Sequence, residues 1–281
     1  MTNWETINIM IEKLKKANQN DEVAFFIFFH FTNIKNKLDL INHKNQTCER
    51  SSFLIKQVED YIHNKPLAKI LGESDFYGLK FIVKNEVFSP RLDTEILVET
   101  VLNKIKNKKQ VSFVDVCTGT GIIGLSILKN SNNINKSYLI DLNPYAVENA
   151  QINADILGIK TNIIKGNLLD YLIDNKIKLD VLISNPPYIS YDEKLEDNVD
   201  YYDPKLALYA EENGLAIYKK LLLDSRKVLN PNSYLIAFEI GYLQAENIER
   251  LAKNILGENI EIEVIKDINH LDRVVTISHN F

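Results

Sequence analysis

From Val111 to the C-terminus, short apolar β-branched runs alternate with longer stretches of helical periodicity. This alternation restricts the fold more than any other feature. Two parallel strands joined through a helix need a crossover connection, and the helix then covers one face of the sheet. The spacing predicts strands at 111–116, 137–140, 161–164, 179–184 and 234–239, and helices at 122–128, 144–157, 214–229 and 242–256. Two further strands, 260–265 and 273–278, have no helix between them and read as a hairpin, so one strand of the sheet is expected to be antiparallel. The expected fold class is α/β, a doubly wound sheet with helices on both faces.

In such sheets, ligands bind beyond the carboxyl ends of the strands. Two stretches stand there. The first is Cys117-Thr118-Gly119-Thr120-Gly121, a glycine-rich turn between a strand and a helix, completed as a G-x-G-x-x-G pattern by Gly124. Asp141 ends the next strand, where an acid binds ribose hydroxyls. A nicotinamide dinucleotide fits, with its pyrophosphate at the helix N-terminus. S-adenosylmethionine fits as well, with its methionine part at the turn. Asp115, four residues before Gly119, suits an ammonium group and has no use beside a pyrophosphate. Asp115 and Asp141 also read as caps of a strand end and of the helix at Pro144. Asn167 and Leu168, after the third strand, are placed to border an adenine.

The second stretch is VLISNPPYIS, 181–190. Its apolar run stops at Asn185-Pro186-Pro187-Tyr188, because proline offers no N–H to a ladder and fixes φ. The Asn185 side-chain oxygen and the Pro186 carbonyl are two acceptors side by side, and Tyr188 offers a flat ring. Together they suit a planar NH2 group, such as a carboxamide or the exocyclic amine of adenine or cytosine. The alternative is a strand-ending turn with a buried tyrosine. An amine is what a methyl sulfonium alkylates, so this stretch and Asp115 favour S-adenosylmethionine over hydride chemistry.

Net charge is −5, from 33 Lys and Arg against 38 Asp and Glu, whereas a protein living on duplex phosphate is normally basic. The densest basic cluster, Lys104 to Lys109, reads as the solvated end of a helix. The abundant Asn and Lys read as codon bias expressed on the surface. Cys48 and Cys117 form no metal or redox spacing, the five histidines form no ligand pairs, and no metal site is expected. The first residues lack the basic and apolar regions of a signal peptide, and the apolar run from Val23 to Phe31 is too short to span a bilayer, so a cytoplasmic protein is expected.

Residues 1–64 read as a small helical domain. Ile7, Met10, Ile11 and Leu14 share one face, a second helix begins near Asp21, and a third runs from Ser51 to His63 with Phe53, Ile55, Val58 and Ile62 as its apolar positions. The aromatic run 25–31 reads as core or as a partner surface. Residues 65–88 read as a connector with a β-hairpin around Gly78, and residues 89–281 as the α/β domain. Asp93 or Thr94 is expected to cap a helix reaching Lys106 with Ile96, Leu97, Val101 and Ile105 buried. The acidic stretch Tyr191 to Asp203 reads as a flap over the acceptor or as a solvated loop.

The chain resembles the HemK/PrmC family, the peptide chain release factor N5-glutamine methyltransferases. The resemblance rests on Pro66 to Gly72, Phe76 to Leu79, Pro90 to Glu95, Asp115 to Gly121, Asn185 to Tyr188, Glu239-Ile-Gly241 with Gln244, and Asp267 with Asp272-Arg273-Val274. It implies a class I (Rossmann-like) SAM-dependent methyltransferase domain, S-adenosyl-L-methionine as cofactor and class I release factors as protein substrate. It further implies an N-terminal helical domain that helps to bind that substrate. The implied acceptor is the glutamine of a Gly-Gly-Gln loop, held by Asn185, Pro186, Pro187 and Tyr188 with Arg91. The cofactor is then held by Asp115, Cys117, Thr118, Gly119, Thr120, Gly121, Asp141, Asn167, Leu168 and Asn185. Leu92, Asn167 and His270 depart from the family pattern, which usually has proline, an acid and glycine there. The competing expectation is an adenine-N6 nucleic-acid methyltransferase, which would need a basic face and a base-reading domain.

Overall fold

The computed structural model describes residues 1–193 and 199–281. The chain divides into two compact units. One contains Met1–Glu73 and the segment ending at Tyr202; the other contains the remainder.

The first unit is helical. It comprises α1 (Asn3–Lys16), α2 (Glu22–Phe31), α3 (Lys37–Asn42), α4 (Ser51–Ile62) and α5 (Leu67–Leu71). A capping box starts α1: the Glu5 N–H donates to Thr2 Oγ1 (3.2 Å), and the Thr2 N–H donates to Glu5 Oε2 (2.8 Å). Ile7, Met10 and Leu14 then meet Ala24, Ile27, Phe28, Leu54 and Val58 in a single core. On α4, Val58 is buried as expected, with Leu54 rather than Phe53 one turn before it. Leu54 is buried and Phe53 is 43% exposed, because the ring of Phe53 leaves the core to meet Phe31 edge-on at 5.0 Å. The aromatic run of α2 is split by its own periodicity, with Phe28 fully buried and Phe26 57% exposed. Two short helices, α3 and α5, lie below the length at which periodicity announces a helix.

The second unit opens with the expected hairpin, β1 (Glu73–Phe76) and β2 (Leu79–Ile82). Tyr77 and Gly78 turn it with positive φ at both positions, the geometry that matches strand twist. There follow α6 (Glu95–Ile105), β3 (Val111–Val116), α7 (Ile122–Asn130), β4 (Ile134–Asp141), α8 (Pro144–Leu157), β5 (Asn162–Lys165), α9 (Asp170–Asp174) and β6 (Val181–Ser184). Beyond them come β7 (Ile189–Ser190), α10 (Val199–Tyr202, a member of the first unit), β8 (Tyr209–Ala210), α11 (Glu211–Gly214) and α12 (Ala216–Val228). The chain ends with β9 (Tyr234–Glu239), α13 (Ala245–Leu256), β10 (Glu261–Lys266) and β11 (Asp272–His279).

Seven strands form the sheet in the order β10-β11-β9-β6-β3-β4-β5, with β11 antiparallel to both its neighbours. Every residue of β3 and β6 is buried, as befits strands covered on both faces. One core packs Leu182, Tyr218, Phe238 and Ile248 on one face of the sheet; the other packs Phe81, Leu97, Phe113 and Ile183. Strand order reverses between β3 and β6, which makes their carboxyl ends the topological switch point.

Two asparagines correct the reading of Asn as surface bias. Asn149 and Asn153 on α8 are fully buried, and their amides complete the backbone of β2. The Ile82 N–H donates to Asn153 Oδ1 (2.7 Å), and Nδ2 of Asn153 donates to the carbonyls of Ile82 (3.0 Å) and Thr120 (2.9 Å). Asn149 accepts from the Lys84 N–H (2.9 Å) and donates to the Ile82 carbonyl (2.9 Å). One side chain thus ties the hairpin to the glycine turn. Asn153→Ala strands these buried groups and is expected to cost about 2–4 kcal/mol of stability in urea denaturation; a loss below about 0.5 kcal/mol would refute the assignment.

Candidate functional site

The glycine turn, Asp141, Asn167-Leu168 and the Asn185–Tyr188 loop all lie at the carboxyl ends of β3, β4, β5 and β6. Register brings them together: Asp115 is opposite Ile183, Val116 opposite Ser184, and Asp141 opposite Lys165. Ser184 Oγ donates to the Val116 carbonyl (2.6 Å), which fixes the end of β6 against the start of the turn.

The turn leaves β3 through Cys117 with φ +60° and opens α7 at Gly121 with φ +83°. A Cβ at Gly121 would stand 2.9 Å from Leu125 Cδ1 and 3.2 Å from Ala150 Cβ, so both conformation and packing require glycine there. The Cys117 thiol is pushed well up by burial, and by Asp141 and Asp115, so it is no nucleophile.

Asp115 is completely buried. Its Oδ2 accepts from the Thr118 hydroxyl (2.5 Å) and the Gly124 N–H (3.0 Å), whereas Oδ1 has no partner. Burial pushes this carboxyl up to about 7, against the two hydrogen bonds that hold it down. Asp141 Oδ2 accepts from the Gly119 N–H (2.9 Å) and Oδ1 from the Asn143 N–H (2.9 Å), while burial raises its pKa. Asn143, rather than Asp141, caps α8, accepting from the Tyr145 N–H at 3.0 Å. Asn167 is exposed, and its amide donates to Asp170 Oδ2 (3.1 Å) at the start of α9.

The loop after β6 is clamped from three sides. Gln244 Nε2 donates to the Tyr188 carbonyl (3.0 Å), while Gln244 Oε1 accepts from the Gly241 N–H (3.0 Å). Strand β7 pairs with β8 beyond Tyr188. Gly214, with φ +81°, lies so close that a Cβ would stand 2.0 Å from the Tyr188 carbonyl oxygen. Burial beside Glu239 pushes the Tyr188 phenol up to about 12, which keeps it neutral.

Where β9 ends beside the end of β6 lies a charged cluster to which the residue patterns alone assigned no role. Glu239, at the end of β9, is 2% exposed, and its Oε2 has no hydrogen-bond partner. Burial pushes its carboxyl up to about 7, held back by the Thr94 hydroxyl, Arg273 and the Asn185 side chain. Arg273 Nη2 lies 3.0 Å from Asp267 Oδ2 and 3.3 Å from Asp93 Oδ2. This corrects the expected helix cap: Thr94 stands at the N-cap of α6 but its hydroxyl makes no hydrogen bond, and Asp93 faces Arg273 instead. The stripe of α6 contains Leu97, Val98, Val101 and Ile105, with Val98 in place of the expected Ile96.

Arg91 Nη2 pairs with the buried Asp203 Oδ2 (2.9 Å), whose Oδ1 also accepts from the Ser89 N–H (3.1 Å) and hydroxyl (2.9 Å). Asp203 is therefore an anchor rather than a solvated acid. The middle of the expected flap, residues 194–198, lies outside the described residues. Among the described residues no helix is long and apolar enough to cross a membrane.

Comparison with known proteins bears on this site. The family model described as the methyltransferase small domain matches residues 78–200. The release factor glutamine methyltransferase of Clostridium acetobutylicum is 39% identical over 249 residues, covering 86% of this chain and 85% of its own. That of Bacillus subtilis is 29% identical, covering 98% and 96%. The solved catalytic domain of hMettl16, in complex with MAT2A 3'UTR hairpin 6, superposes with a TM-score of 0.55 at 15% identity, over 73% of this chain and 77% of its own, and shares the fold. By sequence over nearly its whole length, the chain belongs to the family of release factor glutamine methyltransferases.

Proposed function

We propose that this protein transfers a methyl group from S-adenosylmethionine to the side-chain amide nitrogen of the glutamine in the Gly-Gly-Gln loop of class I peptide chain release factors. The observation that carries this reading is the Asn185–Tyr188 loop, held at the switch point beside a glycine turn and a buried Asp115 with one free carboxylate oxygen. Such an acceptor places the enzyme in the cytoplasm.

The residues present fit the cofactor. Asp115 Oδ1 is the buried acceptor an ammonium group needs, the glycine turn gives close access to its backbone, and Asp141 stands at the strand end for ribose hydroxyls. Cys117, Thr118 and Thr120 complete the turn, and Asn167 and Leu168 border the adenine. When bound, S-adenosylmethionine supplies an electrophilic methyl group.

The chain's own residues prepare the acceptor. An amide nitrogen is a poor nucleophile because its lone pair is delocalised, the same resonance that gives a peptide bond its barrier of ~18–20 kcal/mol. The Asn185 Oδ1 and the Pro186 carbonyl accept the two N–H bonds, leaving the lone pair as the only uncommitted feature of the nitrogen. They also stabilise the positive charge that develops on it. Holding the nitrogen in an attack geometry contributes up to roughly 7–11 kcal/mol. Tyr188 packs on the amide plane with Pro187 behind it; its neutral phenol is no base. The proton leaves once the nitrogen is cationic, so no strong base is required.

A polypeptide acceptor suits the rim of the site. Leu92, Leu243 and Ile268 are 75%, 75% and 91% exposed, on loops joined to the site through Asp93, Gln244 and Asp267. Apolar side chains and a net charge of −5 suit protein better than phosphate. The helical unit, with Phe26 exposed, is the second surface offered to the release factor.

Mass spectrometry of a recombinant release factor incubated with the enzyme and cofactor, with plasmid DNA as competitor, is expected to find one added methyl on the Gly-Gly-Gln glutamine. Methyladenine in the plasmid with an untouched factor would instead support the nucleic-acid reading. Asn185→Ala is expected to abolish turnover and leave cofactor affinity within about threefold; parallel loss of both would remove Asn185 from the acceptor site. Asp141→Ala is expected to weaken cofactor binding at least tenfold by calorimetry, and unchanged affinity would remove it from the ribose site. Asp115 carries a pH signature. Its carboxyl is protonated up to about pH 7 in the folded chain and ionises near pH 4 when unfolded, so it lowers stability as pH rises between these values. Without cofactor, Asp115→Asn should therefore gain stability relative to the wild type between pH 5 and pH 8; the same difference in melting temperature at both would contradict this.

A further inference from the structure

The acceptor loop is stiff. Between Ser184 and Tyr188 stand Asn185, Pro186 and Pro187. Each proline ring fixes φ, and each residue before a proline is confined to extended backbone. The prolines also offer no N–H by which another segment could grip the loop. Movement at either end therefore carries the loop as a unit. At the near end, Ser184 pairs with Val116 in the sheet, and its hydroxyl donates to the Val116 carbonyl (2.6 Å). At the far end the anchor is the Tyr188 carbonyl.

Two features converge on that carbonyl. The first is Gln244, whose Nε2 donates to it (3.0 Å) while Oε1 accepts from the Gly241 N–H (3.0 Å). The second bond decides the orientation of the first, since the reversed amide would set nitrogen against N–H and oxygen against carbonyl. The donor end of Gln244 is thus committed to the loop. The second feature is a run of left-handed backbone: Glu212 (φ 54°, ψ 47°), Asn213 (φ 54°, ψ 40°) and Gly214 (φ 81°). Left-handed residues normally occur singly, because Cβ crowds the following carbonyl oxygen. A run of them is strain, and strain gathers at the working parts of proteins. Here it is braced: the Glu212 carboxylate pairs with Lys219 on α12 (2.8 Å), and the Leu215 N–H donates to the Glu212 carbonyl (3.1 Å). What the turn achieves is close approach. A Cβ on Gly214 would stand 2.0 Å from the Tyr188 carbonyl oxygen and 2.8 Å from Gln244 Nε2.

We propose that Gln244 and the left-handed turn Glu212–Gly214 form a latch on the Tyr188 carbonyl, and that Gln244 is a positioning residue which, through this carbonyl, holds Asn185 Oδ1 and the Pro186 carbonyl in register with the acceptor nitrogen. This rests on the reading of the Asn185–Tyr188 loop as the acceptor site. The latch matters to rate because a misplacement of about 1 Å at a reacting centre costs on the order of 10²-fold. It leaves the cofactor side alone, since the glycine turn and Asp141 are held by their own bonds at the ends of β3 and β4.

The test is kcat, KM and cofactor affinity at pH 8, with a release factor as acceptor. Gln244→Leu removes both hydrogen bonds and is expected to lower kcat about 30- to 100-fold, with cofactor affinity by calorimetry within about threefold. Gln244→Glu separates the two arms. As a carboxylate it still accepts from the Gly241 N–H but cannot donate to Tyr188, so its kcat should fall with that of the leucine variant; a kcat within about threefold of wild type would overturn the latch. Gly214→Ala disturbs the same carbonyl from the other side and is expected to lower kcat at least about tenfold. Because both positions act on one carbonyl, the Gln244→Leu, Gly214→Ala double variant should stay within about threefold of the worse single variant, and losses that multiply would overturn the shared action. Parallel loss of kcat and cofactor affinity would mark general support of the site and overturn the positioning role. If the leucine variant fails to fold, Gln244→Glu and Gly214→Ala decide.

Crystal structures of the wild type and Gln244→Glu need no turnover. The loop is expected to move by about 1 Å or more in the variant while the glycine turn stays in place. An unmoved loop would overturn the latch even if the enzyme methylates its factor. A displaced loop in a protein that methylates no factor would uphold the latch and overturn the proposed reaction.

Discussion

The parallel pairing of β3 with β6 is the constraint on which the site depends. Strand order reverses across this pair, so the connections leaving its two carboxyl ends diverge to opposite faces and open a crevice between them. The register then sets Asp115 beside Ile183 and ends both strands together. The cofactor turn and the acceptor loop are thereby brought side by side from stretches of chain far apart in sequence. The Ser184 hydroxyl on the Val116 carbonyl holds that alignment at its last residue.

Burial of charge is the second organising cost. Asp115 and Glu239 are both enclosed, and both are pushed up to about 7. Neither is neutralised by a close direct ion pair; Asp115 is supported by the Thr118 hydroxyl and the Gly124 N–H, whereas Glu239 Oε2 has no hydrogen-bond partner. Such groups are expensive in a purely structural element. Asp115 lies beneath the turn and Glu239 ends β9 beside the end of β6, so both stand at the carboxyl edge of the sheet, where such a cost in stability is commonly exchanged for function. The surrounding devices are similarly indirect. Thr94 and Asp93 forgo capping α6, and Gln244 is committed at both amide ends to backbone groups of two loops.

Much of this was legible in the residues. The helix from Pro144 to Leu157 and the strand from Tyr234 to Glu239 were readable to the residue, because proline marks one start and an unbroken apolar run marks the other. The glycine turn and the Asn185–Tyr188 loop were readable because both use residues whose backbone chemistry is unusual. The helices α3, α5 and α9 escaped, since five or six residues hold too little periodicity. The burial of Asn149 and Asn153 escaped too. A polar residue in a helix reads as surface until the strand that needs its amide is known. Glu239 and Gln244 were visible only as parts of a motif, with no partner in their own neighbourhood of the chain.

By itself the sequence determined the fold class, the order of the longer elements, the glycine turn with its two acids, and the chemistry offered by Asn185 and the prolines. These are local matters, set by periodicity, backbone freedom and the functional groups present. Tertiary structure decided which of those groups are charged, which way they face and what holds them. Arg91 is drawn to Asp203, Asp115 keeps one oxygen free, and Glu239 is enclosed with one oxygen unpartnered. Each depends on desolvation and on partners from distant segments, and neither exists until the sheet has formed.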